Sequence, residues 1–388
     1  MRRARVLTLT ATIGLISGGL FVAAPSAVSA TPVWKIVKSP NPAGSPAAVL
    51  SSVACPSPTS CIAVGYTPSD VDSDAVSKTL TERWNGQTWT FLPSPNPKGV
   101  PAAFLRGVAC PSPTSCFAVG FANDRDRSFS ETLVEHWDGR SWAIQASPNP
   151  AGSTGAFLNG VTCSSARDCV AVGADASSNQ TLVLHWNGRT WTIQQSPNPA
   201  GSPFASLWGV TCRSATNCYA VGYAMVTADL SQSRTLVEHW NGKTWSMLSS
   251  PNPAGSLNAR LWSVSCPSAT SCYAVGTDRF SKTLVEHWNG KRWAIQPSPN
   301  RSGSTLSSVS CPSTSTCYAV GDTGSRRGTF VTRWNGKTWT IQASPNPPGS
   351  SFASLDGVAC LDQTTCHAVG HAASSDGSAV TTLAQRYG

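Results

Sequence analysis

Charged residues are scarce in this chain of 388 residues. Asp, Glu, Lys and Arg together make up 12% of the sequence, and the 28 Lys and Arg residues are scattered without a basic run. A protein that binds nucleic acid concentrates its basic residues in a patch or along one face. The composition therefore predicts no nucleic-acid partner.

Long apolar runs are also absent, except near the N-terminus. Three arginines in the first five residues precede the apolar segment Val6–Ala24, and small residues follow at 28–30. This order is typical of a secretory signal peptide, and we expect cleavage after Ala30. An uncleaved membrane anchor is the alternative, but no charged stop-transfer segment follows the run. No other stretch reaches the roughly 20 residues that a membrane span needs, so we predict a secreted, extracellular protein.

No cysteine is left unpaired by the spacing, because all fourteen occur as C-x5-C pairs. Behind a signal peptide, such pairs indicate a disulfide framework, and local pairing is the simplest connectivity. A metal site would need clusters of four ligands, typically CxxC motifs or nearby histidines, and neither occurs. We predict seven local disulfides, no metal and no cofactor. The predicted pairs are Cys55 with Cys61, Cys110 with Cys116, Cys163 with Cys169, Cys212 with Cys218, Cys266 with Cys272, Cys311 with Cys317, and Cys360 with Cys366.

A unit of 45 to 55 residues repeats along the rest of the chain. Each unit reads L-x-x-V-x-C, a turn, C-x-A-V-G, a variable stretch, T-L-V-E-H-W-N-G-x-x-W, and then S-P-N-P-x-G-S. These short segments, rich in Val, Leu, Tyr and Trp and bounded by Gly, Pro or Asn, predict four strands, a to d, with no competing helical period. The Asn-Gly turn predicts a c–d hairpin, because both residues tolerate positive φ. Proline cannot continue a ladder, so S-P-N-P leads to the next unit.

Four-stranded units repeated radially form a β-propeller. The last unit stops after strand c, at 382–388, while residues 34–42 resemble a strand d with no a, b or c before it. We therefore predict an all-β, seven-bladed propeller of four-stranded antiparallel blades, whose last blade is closed by the N-terminal strand. An open solenoid would carry caps instead. The predicted domains are a signal peptide at 1–30 and a propeller at 31–388, with blades at about 48–97, 102–150, 155–199, 204–253, 258–300, 305–347, and 352–388 plus 34–42.

The repeat resembles that of the BNR/Asp-box propellers, which include sialidase-like and photosystem II stability-factor-like proteins. Segments 84–89 and 334–339, both W-N-G-x-T-W, lie where that family has its D-G-G-x-T-W turn, although tryptophan replaces the box aspartate. The sequence also resembles secreted actinobacterial propellers with C-P-S-x-x-x-C units. The resemblance implies a propeller, and a sialidase activity would require an arginine triad, a Tyr–Glu pair and an acid/base aspartate.

That catalytic set is not evident, because the tyrosines, glutamates and histidines mostly recur at fixed repeat positions. Recurring residues are better explained by contacts between blades, so we expect a non-catalytic protein; a glycoside hydrolase with an atypical site and a purely structural scaffold stay as alternatives. The segment 70–74, D-V-D-S-D, resembles the start of a calcium loop but lacks its glycine and distal acid, and we interpret it as a solvated loop. The recurring residues are Tyr219, Tyr273 and Tyr318; Glu82, Glu135, Glu238 and Glu286; and His136, His185, His239 and His287.

The residues that break the repeat are more informative. Trp208 and Trp262 are the two tryptophans outside the paired-Trp turns, and they follow the leucine of strand a in adjacent units. Other units have Arg106, Asn159 or Asp356 at this position, near one mouth of the channel and the variable b–c loops. We predict a ligand site there, which binds an extracellular glycan or the surface of another protein. We expect the protein itself to be a monomer. The alternative is that both tryptophans fill space between blades. The seven S-P-N-P loops could in principle be seven weak ligand-binding sites, but we interpret them as structural crossings between units.

Overall fold

The computed structural model describes residues 32–70, 73–124, 129–278, 282–301, 303–324 and 328–388. The predicted signal peptide, the centre of the calcium-loop-like segment and parts of the variable loops lie outside these ranges. The described residues form 28 strands and no α-helix, which confirms the all-β prediction. Among them, no helix has the length and apolar character that crossing a membrane requires.

The strands are short and follow one another along the whole described chain. In order they are β1 (Trp34–Val37), β2 (Val49–Ser57), β3 (Ser60–Asp70), β4 (Ser73–Trp84), β5 (Trp89–Leu92), β6 (Ala102–Ser112), β7 (Ser115–Asn123), β8 (Ser130–Trp137), β9 (Trp142–Gln145), β10 (Ala156–Ser165), β11 (Asp168–Asp175), β12 (Gln180–Trp186), β13 (Trp191–Gln194), β14 (Ala205–Ser214), β15 (Asn217–Met225), β16 (Ser233–Trp240), β17 (Trp245–Leu248), β18 (Ala259–Ser268), β19 (Ser271–Asp278), β20 (Lys282–Trp288), β21 (Trp293–Ile295), β22 (Ser308–Ser313), β23 (Thr316–Asp322), β24 (Thr329–Trp334), β25 (Trp339–Gln342), β26 (Ser350–Cys360), β27 (Cys366–Ser374) and β28 (Val380–Tyr387).

The strands assemble into repeated four-stranded antiparallel units. Four sheets contain four consecutive strands each, and a fifth has the order β1-β28-β27-β26. The sixth sheet has eight strands, β2 to β9, and its two halves are linked by one parallel pair, Ser77 with Ala102. Repeated antiparallel units of this kind are typical of a β-propeller.

The N-terminal strand completes the sheet of the last unit. Trp34 lies opposite Tyr387 in the β1–β28 ladder, and the amide of Thr382 donates a hydrogen bond to Asn41 Oδ1 at 2.9 Å. The pairing of the two chain ends is therefore as the sequence predicted. It covers an edge of β28 that would otherwise be open to other chains.

A disulfide links the first two strands of every unit. All seven predicted pairs are bonded, and each bridge closes the short a–b turn. The second cysteine of each pair is buried in one of the hydrophobic clusters that lie between units, so these cysteines belong to the core. The bonds join Cys55 to Cys61, Cys110 to Cys116, Cys163 to Cys169, Cys212 to Cys218, Cys266 to Cys272, Cys311 to Cys317, and Cys360 to Cys366.

The W-N-G turn differs from the prediction, since only glycine adopts positive φ there (98° at Gly86). The predicted c–d hairpin is present, with Trp84 paired to Trp89 and the amide of Asn85 donating to the carbonyl of Thr88 at 3.2 Å. Asn85 Oδ1 also accepts the amides of Gln87 and Thr88 at 2.9 Å. This Asx turn adds to the backbone pairing of the hairpin.

Hydrophobic side chains pack between neighbouring units. The described residues form seven buried clusters, and one of them joins Leu50 and Val53 near the start of the chain to Val369 and Ala384 near its end. The first strands of successive units also contact one another, and β26 contacts β2. The first strands are β2, β6, β10, β14, β18, β22 and β26.

Five of the S-P-N-P crossovers tie their own unit to the next one through the side chain at the recurring glutamate position. Ser39 Oγ donates to Glu82 Oε2 at 2.7 Å, and three further Ser–Glu pairs repeat this contact. These glutamates are 0% exposed, and burial raises the pKa of each to about 8, although the serine hydroxyl lowers it. The last unit has Gln385 instead, which accepts from Ser344 Oγ at 2.9 Å and donates to the carbonyl of Pro345 at 2.8 Å. The recurring glutamates thus join units, as their repetition suggested. The other pairs are Ser94–Glu135, Ser196–Glu238 and Ser250–Glu286.

Candidate ligand-binding cavity

A cavity of about 500 Å³ lies among the first strands of all the units. Each unit contributes the residue that follows the leucine of its first strand. The structure therefore brings the five predicted site residues together in one place, along with two serines at the same repeat position. These residues are Ser51, Arg106, Asn159, Trp208, Trp262, Ser307 and Asp356.

A β-bulge explains why this position faces the cavity. In six units the pairing of the first two strands shifts by one residue at this point, which leaves the residue after the leucine without a partner in the ladder. A bulge adds one residue to a strand and re-aims its side chain, so the repeat can vary here without disturbing the core. The shifts lie between Leu50 and Ser52, Leu105 and Gly107, Leu158 and Gly160, Leu207 and Gly209, Leu261 and Ser263, and Leu355 and Gly357.

The next position must be small because neighbouring first strands approach closely. A Cβ atom at Gly160 would lie 2.5 Å from the carbonyl oxygen of Trp208, and one at Gly357 would lie 2.9 Å from the Cα atom of Ser52. Where serine replaces glycine, its hydroxyl accepts an amide of the next unit, as Ser308 Oγ does from Val358 at 3.2 Å. Within this part of the first strand, the larger variation among units is thus found at the bulge residue.

Two tryptophans form an aromatic sector of the cavity wall. The rings of Trp208 and Trp262 meet edge to face with their centroids 4.7 Å apart. Arg106 lies over Trp208 with its Cζ atom 5.5 Å from the ring centre, and Tyr223 supports Trp262 at 5.9 Å. Both tryptophans are half-buried, and neither belongs to the hydrophobic clusters that the described residues form between units. Both tryptophans therefore lie in the cavity wall and outside those clusters.

An acid–imidazole pair forms a polar sector of the same wall. Asp356 Oδ2 lies 2.9 Å from His371 Nδ1, and Asp356 Oδ1 accepts from Ser354 Oγ at 2.8 Å. Each side chain of the pair is 25% exposed. Burial lowers the pKa of His371, but the carboxylates of Asp356 and Asp322 outweigh it, so the pKa is raised above its ordinary value. The serines of the cavity wall are Ser51, Ser52, Ser263, Ser307 and Ser308.

Asn159 lines the cavity but offers little surface to it. Its side chain is 6% exposed, and its Nδ2 atom donates to the carbonyl of Leu207 at 2.9 Å. Oδ1 has no hydrogen-bond partner among the described residues. We conclude that Asn159 chiefly links two neighbouring first strands.

Two side chains of the second strands, Tyr66 and His371, also line the cavity and were not predicted from the sequence. Both directly follow the A-V-G of their second strand, and His371 lies opposite Ser354 in the ladder. A comparison of units at the position after A-V-G, like the one made for the first strand, would have identified them.

The other histidines and the cysteines make structural contacts. His185 Nε2 lies 2.7 Å from Asp168 Oδ1, and the equivalent His287 lies 3.0 Å from the hydroxyl of Ser271. All fourteen cysteines lie within the described ranges, and none of them lines the cavity. The predicted disulfide cysteines are therefore part of the scaffold and not of the ligand site.

One group among the described residues has metal-binding geometry. It consists of His367 with the disulfide-bonded pair Cys55 and Cys61. Cysteine binds a metal ion as its thiolate, and a disulfide offers none.

Comparisons with known proteins find likeness in structure but not in sequence. No protein-family model and no curated protein matches the chain. The structure of YCF48 bound to D1 peptide superposes with a TM-score of 0.55 at 13% identity, covering 91% of this chain and 94% of that one. YCF48 from Cyanidioschyzon merolae gives 0.56 at 13% identity, covering 92% and 98%. A chain of the mitotic checkpoint complex gives 0.50 at 14% identity, covering 99% and 98%.

The fold is a β-propeller. YCF48 is a photosystem II stability factor with this fold, so the propeller part of the predicted resemblance is confirmed. Identity this low carries likeness of fold alone. Membership of the Asp-box family and an actinobacterial, secreted relationship stay predictions.

Proposed function

We propose that this protein is a secreted, seven-bladed propeller without catalytic activity, which binds an extracellular glycan or protein segment in the channel cavity. The observation that carries the proposal is the bulge position. It is the point where the repeat varies, and all seven of its side chains line one cavity. Concave sites with aromatic walls and a few polar groups are typical of small-ligand binding.

The blade number follows from treating the eight-stranded sheet as two units. Its halves are linked by one residue pair, whereas strands within each half pair over several residues. Two halves and five four-stranded sheets make seven blades. Contact of β26 with β2 supports a closed ring.

Secretion is supported by the seven disulfides, since disulfides persist in oxidising compartments outside the cytosol. The segment 1–30 supplies the signal that export requires.

The absence of catalysis is supported by the acids of the cavity. Glycoside hydrolases generally use two carboxyl groups on opposite sides of the scissile bond. Among the described residues that line the cavity, Asp356 is the only one with a carboxylate. A protein segment is the other candidate ligand, since the structure of YCF48, which has the same fold, was determined with D1 peptide bound.

The proposal is tested with the mature chain, residues 31–388, on glycan and peptide arrays. We expect the double variant Trp208→Ala with Trp262→Ala to lose the binding that the unmodified chain shows. Trp186→Ala is the matched control, because Trp186 is also half-buried but lies outside the cavity. Unchanged binding by a folded double variant would show that the site is wrong, and release of reducing sugar from a glycoside panel would favour the hydrolase alternative.

A further inference from the structure

The cavity wall has two chemically different sectors. In the order of the units, Trp208 and Trp262 come first, Ser307 follows, then Asp356 with His371, and then Ser51. One sector thus presents indole rings with the Arg106 guanidinium over Trp208, and the other presents hydroxyls, a carboxylate and an imidazole. A ligand that fills both must have an apolar face and a rim rich in hydrogen-bonding groups.

The Asp356–His371 pair is arranged to hydrogen-bond such a rim. Each carboxylate oxygen of Asp356 has one protein partner, His371 or Ser354, and retains capacity to accept a second bond. The Nδ1 atom of His371 is engaged by Asp356, so its orientation is set, and Nε2 makes no hydrogen bond with any described residue. Both side chains are partly exposed and line the cavity. Two adjacent hydrogen-bonding groups are therefore available on one strip of the wall.

The geometry points to a neutral sugar ring as the ligand, with two neighbouring hydroxyls bound by the Asp356 carboxylate and His371 Nε2 and with a C–H face packed on the tryptophans. This inference rests on the proposed function and narrows its ligand. A pyranose ring has C–H groups on its faces and hydroxyls on its rim, which matches the two sectors. A peptide side chain matches one sector at a time, and the negative charge of Asp356 disfavours an acidic sugar in this strip.

The inference is tested by calorimetric titration of residues 31–388 with neutral tetrasaccharides of glucose, mannose and N-acetylglucosamine, and with uncharged tetrapeptides. We expect His371→Gln and Asp356→Asn each to weaken saccharide binding by about 10- to 100-fold, which corresponds to losing a hydrogen bond to a charged group. The chain offers a matched control in the His185–Asp168 pair, which has similar exposure but lies outside the cavity. His185→Gln and Asp168→Asn should bind as the unmodified protein does.

Deoxy sugars provide a test that does not depend on how the variants fold. The unmodified protein should bind an analogue that lacks one of the two hydroxyls about 10- to 100-fold more weakly than the parent sugar. Asp356→Asn should then add little further loss with that analogue, because the two changes remove the same contact.

The outcomes separate this inference from the proposed function. If the double tryptophan variant loses saccharide binding while Asp356→Asn and His371→Gln retain it, the polar sector is not the subsite, although the cavity still binds. Binding of tetrapeptides alone would overturn the sugar assignment and leave a cavity that binds protein. Absence of saccharide binding at millimolar concentration would overturn the inference as well.

Discussion

Replacing Glu82 by Gln should stabilise the protein, and more so at higher pH. Glu82 is fully buried beneath the preceding crossover, and burial raises its pKa from 4.5 to about 8. At pH 7 its carboxyl group is therefore protonated in the folded protein and ionised in the unfolded chain. Glutamine has the shape of the protonated acid and needs no proton.

The size of the effect follows from linkage between proton binding and folding. A raised pKa means that the contribution of Glu82 to stability is complete below pH 4.5 and is lost as the pH rises to about 8. At pH 7 the loss is about 3 kcal/mol, because the unfolded chain releases the proton over about 2.5 pH units at about 1.4 kcal/mol each. Between about pH 5 and pH 9, the unmodified protein should lose about 4 kcal/mol more than Glu82→Gln does.

The last unit already contains the proposed replacement. Gln385 accepts from Ser344 and donates its Nε2 hydrogen to the carbonyl of Pro345, so the site accommodates an amide without a charge. Gln385→Glu is therefore the mirror control, and it should lower stability as the pH rises.

The assay is urea unfolding of residues 31–388 with intact disulfides at pH 5, 7 and 9. The free energy of unfolding is measured for the unmodified protein and for both variants. The reasoning is refuted if the difference between Glu82→Gln and the unmodified protein is the same at pH 5 and pH 9. Destabilisation by Gln385→Glu that does not grow with pH would contradict it equally.

Two further variants test the architecture of the units. Removing one disulfide with Cys55→Ser and Cys61→Ser should lower the free energy of unfolding by about 2 kcal/mol, since the closed loop is short, and urea unfolding measures this; a loss of the fold would show that the bridge does more than restrict the unfolded chain. Gly160→Ala should lower stability by about 1–3 kcal/mol, because its Cβ atom would press against the backbone carbonyl of Trp208; an unchanged melting temperature would show that the first strands can separate.

The strands, the disulfides and the split unit were predictable because each depends on residues near one another in the repeat. The cysteine spacing determines the a–b link. The strand at 34–37 has no unit of its own, and the last unit is the one that lacks a strand d. Trp208 and Trp262 were found for the opposite reason, since a residue that departs from its repeat position is visible against the other units.

The buried glutamates and His371 were not predictable in the same way. The recurrence of Glu82 indicated a contact between units, but its burial comes from the crossover of another unit, and its Ser39 partner lies 43 residues away. The strand pattern does not show that two residues so far apart in the sequence lie in contact. His371 lines the cavity because its strand pairs with a first strand that contains a bulge. The only sequence signal of that bulge is the leucine before it and the small residue after it.

The pairing of β1 with β28 has a consequence for biosynthesis. The ladder that joins Trp34 to Tyr387 spans almost the whole described chain. During synthesis the first strand is made at the start and stays unpaired until the last strand has been made. A prematurely terminated chain lacks β28, so it keeps exposed strand edges that are open to proteolysis and aggregation. The position of the first strand thus makes full-length synthesis a condition for a protease-resistant product.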